Sequence, residues 1–394
     1  LDLTLSFILF SAFTFWQGGY NVSEQYLGKS IKKLGFGLMR LPMQGQEIDI
    51  EQTKKMVDSF MAKGFSYFDT AYVYIGSKSE VALKEAVTDR YPRESFQAAT
   101  KMPLWICKTP DDLQKLFDES CERAGLSYYD FYLLHALNKD SYQQSEELHA
   151  WEFIQKMKAE GKIRHIGFSF HDSAEVLDTI LKAHPETEFV QLQINYADWE
   201  SDNVQSRKCY EVAKKYNVPV VIMEPVKGGS LASMTPKVRE LLEKANPDAS
   251  IASWAVRYAA SLPGVVTVLS GMSDTAQMED NCSYMENFEP LSDSERATID
   301  EVVKVLDSLP TIPCTSCRYC VDDCPQQINI PEIIGTLNAY TLYQNKAGSM
   351  GHYRQIVKEK GKASDCIACG ACEGHCPQHI EIIDTLKKAA GLFE

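Results

Sequence analysis

The chain has 394 residues, 44% apolar and 24% charged, with a formal net charge of −14. The length suits two domains better than one core, and the composition is that of a folded globular protein. The acidic balance argues against nucleic acid or an anionic membrane surface as a main partner, because both repel it.

Residues 1–23 come first. From Leu3 to Ser23 there is no charge, and Leu3–Trp16 is strongly apolar. A secretory signal wants a positive flank, and only Asp2 precedes this run. A bilayer span wants about 20 predominantly apolar residues, and Gln17-Gly18-Gly19 interrupts this one. The stretch reads as an extension outside the main fold rather than a membrane anchor.

Short β-branched or aromatic runs then alternate with helical patterns. The candidate strands are Leu34–Met39, Ser66–Asp69, Phe96–Thr100, Phe131–Leu134, His165–Phe168, Phe189–Gln193, Val218–Met223 and Val265–Leu269. Between them, Ile50–Lys63, Glu80–Thr88, Thr109–Ala124, Glu146–Glu160, Ser173–Ala183 and Asn203–Tyr216 are amphipathic. Their apolar residues recur at three and four, as at Met56, Val57, Phe60 and Met61. Asp49, Ser79, Thr109 and Ser173 are placed as N-caps. Strands separated by helices pair in parallel through crossovers. Eight such units close into a (β/α)8 TIM barrel, spanning residues 24–309. An open doubly wound sheet is the weaker reading, since no Gly-rich fingerprint follows the first strand. Ser292–Leu309 reads as a last helix, and Pro310 and Pro313 mark a boundary.

Residues 310–394 are different in kind. The chain has twelve cysteines, and eight of them fall here in two runs. A disulfide-stapled secreted domain would be shorter and would spread them, so the clustering points to metal in a reducing compartment. The first run is Cys314-Thr-Ser-Cys317-Arg-Tyr-Cys320-Val-Asp-Asp-Cys324-Pro325. The second is Cys366-Ile-Ala-Cys369-Gly-Ala-Cys372-Glu-Gly-His-Cys376-Pro377. Two-residue spacings aim three thiolates at one cluster, and the fourth cysteine turns to the other. Cys314, Cys317, Cys320 and Cys376 are therefore assigned to one [4Fe–4S] cluster, and Cys366, Cys369, Cys372 and Cys324 to a second. Structural zinc, which takes its cysteines mostly in pairs, fits this pattern poorly. The runs resemble the bacterial two-cluster ferredoxins. The gap between them reads helical over Pro331–Lys360, which looks like the helical ferredoxin variety. The four remaining cysteines (Cys107, Cys121, Cys209, Cys282) read as plain thiols.

Chemistry in a (β/α)8 barrel sits where the strands end at the C-terminal face. Asp69 ends the second predicted strand, with Tyr74 five residues on. Lys101 follows the third and His135 the fourth, Ser169 follows the fifth and Gln193 ends the sixth. Tyr74 can donate a proton to a carbonyl, with Lys101 lowering its pKa. Asp69 would hold Lys101, and His135 would orient the carbonyl or assist the proton transfer. A reduced nicotinamide would supply hydride, with Ser169 and Gln193 bonding its carboxamide. Singly, each residue has a plainer structural reading; their ordered succession at strand ends is what points to chemistry.

The chain here resembles the aldo/keto reductase family over roughly Leu34–Leu309. The stretches that carry the resemblance are GFGLMRLP (Gly35–Pro42), FDTAYVYIGSKSE (Phe68–Glu80), ATKMP (Ala99–Pro103), DFYLLHAL (Asp130–Leu137), GKIRHIGFSFHD (Gly161–Asp172) and MEPVKGG (Met223–Gly229). With the cysteine tail, it looks like the iron–sulfur-containing branch. The resemblance implies the tetrad Asp69, Tyr74, Lys101 and His135, and the cofactor roles of Ser169 and Gln193. Three departures stand out. Phe170 replaces an Asn common after the serine, and Met223 stands where an aromatic often stacks on the nicotinamide. Family members preferring NADPH carry basic residues after the eighth strand, whereas Ser270–Asn281 has no Lys or Arg. Asn281 stays among the candidate cofactor-binding residues. So do Lys227, Gly228 and Gly229, whose glycines would let a backbone approach a pyrophosphate.

The expected activity is that of an oxidoreductase reducing a small carbonyl or oxidising an alcohol, using NAD(P)H and two [4Fe–4S] clusters. A ferredoxin or other electron carrier is the expected partner, in the cytoplasm and in keeping with an anaerobe. Hydride moves two electrons and each cluster one, so the coupling between them is not legible. The loops Arg40–Glu47 and Leu104–Lys108 are where specificity would lie. The other reading keeps the clusters and makes the barrel a non-catalytic scaffold for electron transfer or partner docking.

Overall fold

A computed structural model describes residues 27, 31–314, 318–322, 324–374, 376 and 378–394. The extension over residues 1–23 and the ligand candidate Cys317 lie outside the described residues. Eight parallel strands close into a barrel: β1 (Leu34–Gly37), β2 (Tyr67–Asp69), β3 (Gln97–Met102), β4 (Tyr129–Leu137), β5 (Ile163–Phe170), β6 (Phe189–Gln193), β7 (Val220–Met223) and β8 (Val265–Ser270). Each pairs with its neighbour in sequence, and β1 closes on β8 through Leu34↔Val268 and on β2 through Gly35↔Tyr67. All eight predicted strands are present; Phe189–Gln193 matches at both ends, and no other end is shifted by more than three residues.

Strands covered on both faces must be apolar nearly throughout, and Val265–Ser270 is buried at every position. A cluster of Tyr67, Phe131, Leu133, Phe189, Val221 and Val266 is packed together in this barrel. Phe131 sets its ring 4.9 Å from Tyr67 and 5.2 Å from Phe189. Gly167 makes room for this: a Cβ there would meet the Phe189 carbonyl oxygen at 2.3 Å.

The helices follow the amphipathic stretches, with three differences. The stretch Glu146–Glu160 is two helices, Lys139–Glu147 and Ala150–Ala159, broken at His149 with φ 54°. The break turns Trp151 inward, where its Nε1 donates to Ser145 Oγ at 3.0 Å and its ring stacks on His184 at 3.8 Å. Ser79 is not an N-cap. It is the first residue of helix Ser79–Leu83, and its hydroxyl is buried against Thr70. The helical gap between the cysteine runs is split into Ile330–Tyr343 and Lys346–Ile356. Gln344 turns the chain at φ 54°, and Asn345 caps the second helix by accepting from Gly348 N–H at 3.0 Å.

The chain divides into two compact units. One runs to Pro225 and resumes over Val256–Leu291, holding all eight strands; the other joins Val226–Ala255 to Ser292–Glu394. In the second unit, helix Asp293–Asp307 packs on Pro236–Ala245, and Ile330–Tyr343 packs on Ile382–Phe393. A small core of Ile328, Ile333, Leu337, Leu386 and Phe393 binds the helices around the cysteine runs. No helix among the described residues is long and apolar enough to cross a membrane.

Candidate functional site

Asp69 and Lys101 end or nearly end neighbouring strands, and both are buried. Lys101 Nζ donates to Asp69 Oδ1 at 2.6 Å and to the Thr70 carbonyl at 2.7 Å. Tyr74 lies over the same ammonium, its ring centroid 4.9 Å from Nζ. His135, on β4, stands edge-to-face with Tyr74 at 5.9 Å. The fold thus brings the four residues into one group at the C-terminal ends of β2, β3 and β4.

The segment carrying Tyr74 is tightly clasped. Thr70 Oγ1 and Ser79 Oγ meet at 2.6 Å across its base, and Ser79 Oγ also donates to the Leu38 carbonyl at 3.0 Å. Immediately after Tyr74, Ile75, Gly76 and Ser77 all have left-handed backbone, with φ of 51°, 61° and 67°. For a β-branched residue such as Ile75 that conformation is strained, and strain of this kind persists only where the surroundings enforce it.

Electrostatics in the group depart from one expectation. Tyr74 was expected to be lowered by Lys101. Instead its phenol is pushed up, because burial outweighs the pull of the Lys101 ammonium, with Asp69 and Glu224 adding to the rise. Burial also pushes the Asp69 carboxyl up, against the pull of Lys101. Burial alone would discharge Lys101, but Asp69 and Tyr74 more than offset it and hold the amine charged. Tyr74 therefore keeps its proton at neutral pH, the state a proton donor needs.

His135 is pushed down from 6.5 to about 3, by burial first and then by Lys101 and His171. Its imidazole is neutral at physiological pH. In the unfolded chain the same group protonates near 6.5, so below that pH the unfolded state binds a proton that the folded state refuses. Its contribution is therefore constant above about 6.5, and folded-state stability falls as pH drops toward 3, by up to about 1.4 kcal/mol per unit. We expect the Tm gap between the native chain and His135→Gln to narrow on going from pH 7.5 to pH 5.5. A gap independent of pH would show that His135 titrates normally.

Ser169 and Gln193 sit at the ends of β5 and β6. Ser169 Oγ accepts the Ala136 N–H at 2.7 Å, which leaves its own O–H to donate. Gln193 Nε2 donates to the buried Asp198 Oδ2 at 3.2 Å, which leaves Gln193 Oε1 as an acceptor. A primary carboxamide offers one carbonyl acceptor and one NH2 donor. The pair fits that group. Phe170, beside Ser169, is buried and packs against Phe168 at 6.2 Å.

The remaining cofactor candidates are placed differently. Asn281 is buried, with its Nδ2 donating to Ser270 Oγ at 2.7 Å and its Oδ1 accepting from Tyr284 O–H at 2.5 Å. Its amide is largely committed to tying its helix to the end of β8. Lys227, Gly228 and Gly229 belong to the second unit and have φ of 48°, 62° and 91°. A Cβ at Gly229 would meet nothing within 4 Å, so that backbone is open to approach.

Two residues were not singled out from the sequence. Arg40, in the loop after β1, lays its stem against Gly271, where a Cβ would meet its Cδ at 3.2 Å, and Ser273 Oγ donates to its carbonyl at 2.8 Å. A basic side chain is thus supplied to the end of β8 by another loop. Trp105, 50% exposed, has its ring 5.0 Å from His135. Both lie in the two loops expected to set specificity, but which of their residues reach the site depends on the third dimension.

In the second unit, two cavities are lined by cysteines. Cys314 and Cys320 share one with Cys376, and Arg318, Ile334 and Ile382 complete its wall. Cys366, Cys369 and Cys372 share the other with Cys324, together with Ile328 and Leu386. Each cavity thus combines one run with the last cysteine of the other. Among the described residues, no three of His, Cys, Asp and Glu close on a single metal ion. An iron–sulfur cubane takes its four thiolates on four different irons, which spreads them more widely than ligands of one ion. The cysteine-lined cavities with apolar walls fit that body better than they fit zinc.

The two runs use the same backbone device. The residue after the second cysteine is left-handed in both, Arg318 with φ 68° and Gly370 with φ 80°. The first run is gripped by Asn338, whose Oδ1 accepts from Ile312 N–H at 2.8 Å while its Nδ2 donates to Ile312 O at 2.9 Å. The second is approached by a tight bridge at Gly361, where a Cβ would meet Gln326 O at 2.1 Å.

Comparison with known proteins covers both parts of the chain. A model of the aldo/keto reductase family matches residues 33–304, and a 4Fe-4S dicluster domain matches 313–381. The chain is similar to the L-galactose dehydrogenase of Arabidopsis thaliana, 24% identical over 72% of this chain and 93% of the relative. It is likewise similar to a 9,11-endoperoxide prostaglandin H2 reductase of Trypanosoma cruzi, 24% identical over 72% of this chain and 92% of the relative. An aldo-keto reductase from Klebsiella pneumoniae in complex with NADPH shares the fold, with a TM-score of 0.57 at 19% identity over 69% of this chain and 91% of that one. The holo form of an aldo-keto reductase from Bacillus halodurans gives a TM-score of 0.55 at 22% identity over 70% and 95%. The chain belongs to the aldo/keto reductase family of oxidoreductases, and its barrel is followed by a 4Fe-4S dicluster domain.

Proposed function

We propose that the barrel, residues 24–309, reduces a small carbonyl compound or oxidises the matching alcohol with NAD(P)H. The observation that carries this reading is the contact of Lys101 with Asp69 at 2.6 Å beneath the Tyr74 ring, with neutral His135 beside it. Tyr74 gives its proton to the carbonyl oxygen. Lys101, kept charged by Asp69, stabilises the phenolate that remains. His135 orients the carbonyl by hydrogen bonding, which a neutral imidazole can do without losing charge. Ser169 O–H and Gln193 Oε1 hold the carboxamide of the nicotinamide, which when bound supplies the hydride. Trp105 gives the substrate an apolar wall next to His135.

Residues 310–394 hold two [4Fe–4S] clusters, which when bound carry single electrons. Cys314, Cys317, Cys320 and Cys376 serve one, and Cys366, Cys369, Cys372 and Cys324 the other. The exchange partner is an external one-electron carrier, and the reducing conditions that clusters need favour the cytoplasm.

The test is anaerobic titration with NADPH and NADH, following tryptophan fluorescence. We expect binding, with NADPH the tighter of the two because Arg40 provides a cation for its extra phosphate. Arg40→Ala should reverse or erase that preference at the cost of about tenfold or more in NADPH affinity, as for a charge-assisted hydrogen bond of about 1.5 kcal/mol or more. If neither nucleotide binds to a cluster-replete protein, hydride chemistry is wrong and the scaffold reading takes its place.

A further inference from the structure

The two cysteine-lined cavities differ in their relation to solvent. Around the first, Cys320 is buried, and Cys314 and Cys376 are half-buried. Around the second, Cys369 is exposed, and it is the only exposed cysteine among those described. Ile367, between two of the second run's cysteines, is 60% exposed and also lines that cavity. It is the one large apolar side chain left exposed among the described residues of the second unit.

Charge frames this face. Lys358, Lys360 and Lys362 occupy one exposed turn. Gly361, inside that turn, pairs with Ile328 and presses on Gln326, both of which line the same cavity. Lys387, also exposed, lies within electrostatic reach of Cys366. Lys362 and Lys387 are themselves paired with acids, and Glu373 beside Cys372 accepts from Ile383 N–H at 2.8 Å. Asp365 Oδ2 accepts from Lys362 N–H at 2.9 Å, Glu394 pairs with Lys362 at 3.4 Å, and Asp384 pairs with Lys387 at 2.8 Å. Lys358 and Lys360 make no ion pair among the described residues, and Glu359 is the one acid between them.

From this arrangement we infer that the face around Ile367 and Cys369 is the docking surface for an acidic one-electron carrier protein. The inference rests on the proposal that the cysteines hold clusters. A chain with net charge −14 repels an acidic partner over most of its surface, and potentials of this kind steer encounter to the patch that differs. Lysines around an exposed apolar centre give such a partner both orientation and contact. The carrier gives up one electron across this face and is oxidised by one; the cluster behind Cys369 is reduced by one. No bond is made or broken and no proton moves.

The experiment uses the full chain with both clusters in place, confirmed by iron counting. Oxidation of a reduced acidic two-cluster ferredoxin is followed by stopped flow as ionic strength is raised. We expect a second-order rate that falls with salt, and a loss of about tenfold or more at low salt in Lys358→Glu/Lys360→Glu, with a flattened salt dependence. Ile367→Asp should slow the reaction at high salt as well. Lys237→Glu/Lys244→Glu, on helix Pro236–Ala245, should leave the rate unchanged. Reduction of the clusters by methyl viologen, a small cationic mediator, should be the same in all variants at high salt, where charge is screened. A ferredoxin rate indifferent to the Lys358 and Lys360 reversals, or slowed equally with methyl viologen, would overturn the docking surface. A chain that takes up no iron would instead overturn the cluster assignment on which it stands.

Discussion

Replacing Tyr74 by Phe should lower turnover of a carbonyl substrate by about 10²–10⁴-fold, the usual worth of a positioned acid. The substitution removes one oxygen and keeps the ring. The ring centroid, 4.9 Å from Lys101 Nζ, keeps the cation over an aromatic face. The Asp69–Lys101 contact at 2.6 Å stays, and only the phenol's own bond to Lys101 goes with the oxygen. Folding and nucleotide binding should therefore hardly change, and the loss should fall on kcat rather than KM. Lys101→Met separates this from simple damage. It leaves Asp69 buried without its cation, and removal of one partner from a buried pair typically costs about 3–5 kcal/mol. Loss of Tm with Lys101→Met, against an unchanged Tm with Tyr74→Phe, distinguishes a residue that positions and charges the site from the one that donates. Carbonyl turnover that survives Tyr74→Phe intact would remove Tyr74 as the acid.

The strands were legible because a barrel strand has no solvated face. Stretches such as Val265–Leu269 are apolar at consecutive positions, and that pattern needs only the sequence. The grouping of Asp69, Tyr74, Lys101 and His135 was legible because Asp69, Lys101 and His135 end or nearly end successive strands, which topology alone brings to one face. What could not be read was anything set by two loops at once. Arg40 lies about 230 positions before Gly271 in the sequence, yet its stem covers it. Ser270–Asn281 holds no basic residue, and the cation whose stem lies against Gly271 comes from the loop after β1. Asn281 shows the same limit from the other side. It belongs to the segment expected to meet the cofactor, but Ser270 and Tyr284 take up its amide.

Electrostatics was the least legible layer. Placing Lys101 beside Tyr74 suggested a lowered phenol, and the attraction is there. The sequence carried no measure of how completely the site is dry, and burial reverses the sign. The same burial gives His135 its neutral imidazole. The clasp between Thr70 and Ser79 was hidden for a related reason. A serine before a helical run usually caps it, but this one is buried and spends its hydroxyl on Thr70 and the Leu38 carbonyl.

Cys376→Ala tests the crossed ligand set with the second large effect. Cys376 belongs to the second run by sequence, but it shares a cavity with Cys314 and Cys320. Its loss should therefore remove the cluster of the first run and spare that of its own. Iron and sulfide per chain should fall to roughly half, since each cubane carries the same complement. The freed thiols identify which cluster has gone. Under anaerobic alkylation and mass mapping, Cys314 and Cys320 should become reactive while Cys366, Cys369 and Cys372 stay protected. Cys324→Ala should give the mirror image, because Cys324 lies with the second run's cysteines. Protection of Cys314 and Cys320 with exposure of Cys366, Cys369 and Cys372 in Cys376→Ala would mean that each run keeps its own four cysteines. That outcome would also break the link between Ile367 and a complete cluster, since the carrier would then dock on a site ligated without Cys324. The crossed arrangement has a structural consequence as well. Each cluster ties the two runs to each other, so losing either should destabilise both. The alkylation pattern should accordingly be read at low temperature, before the remaining cluster is released.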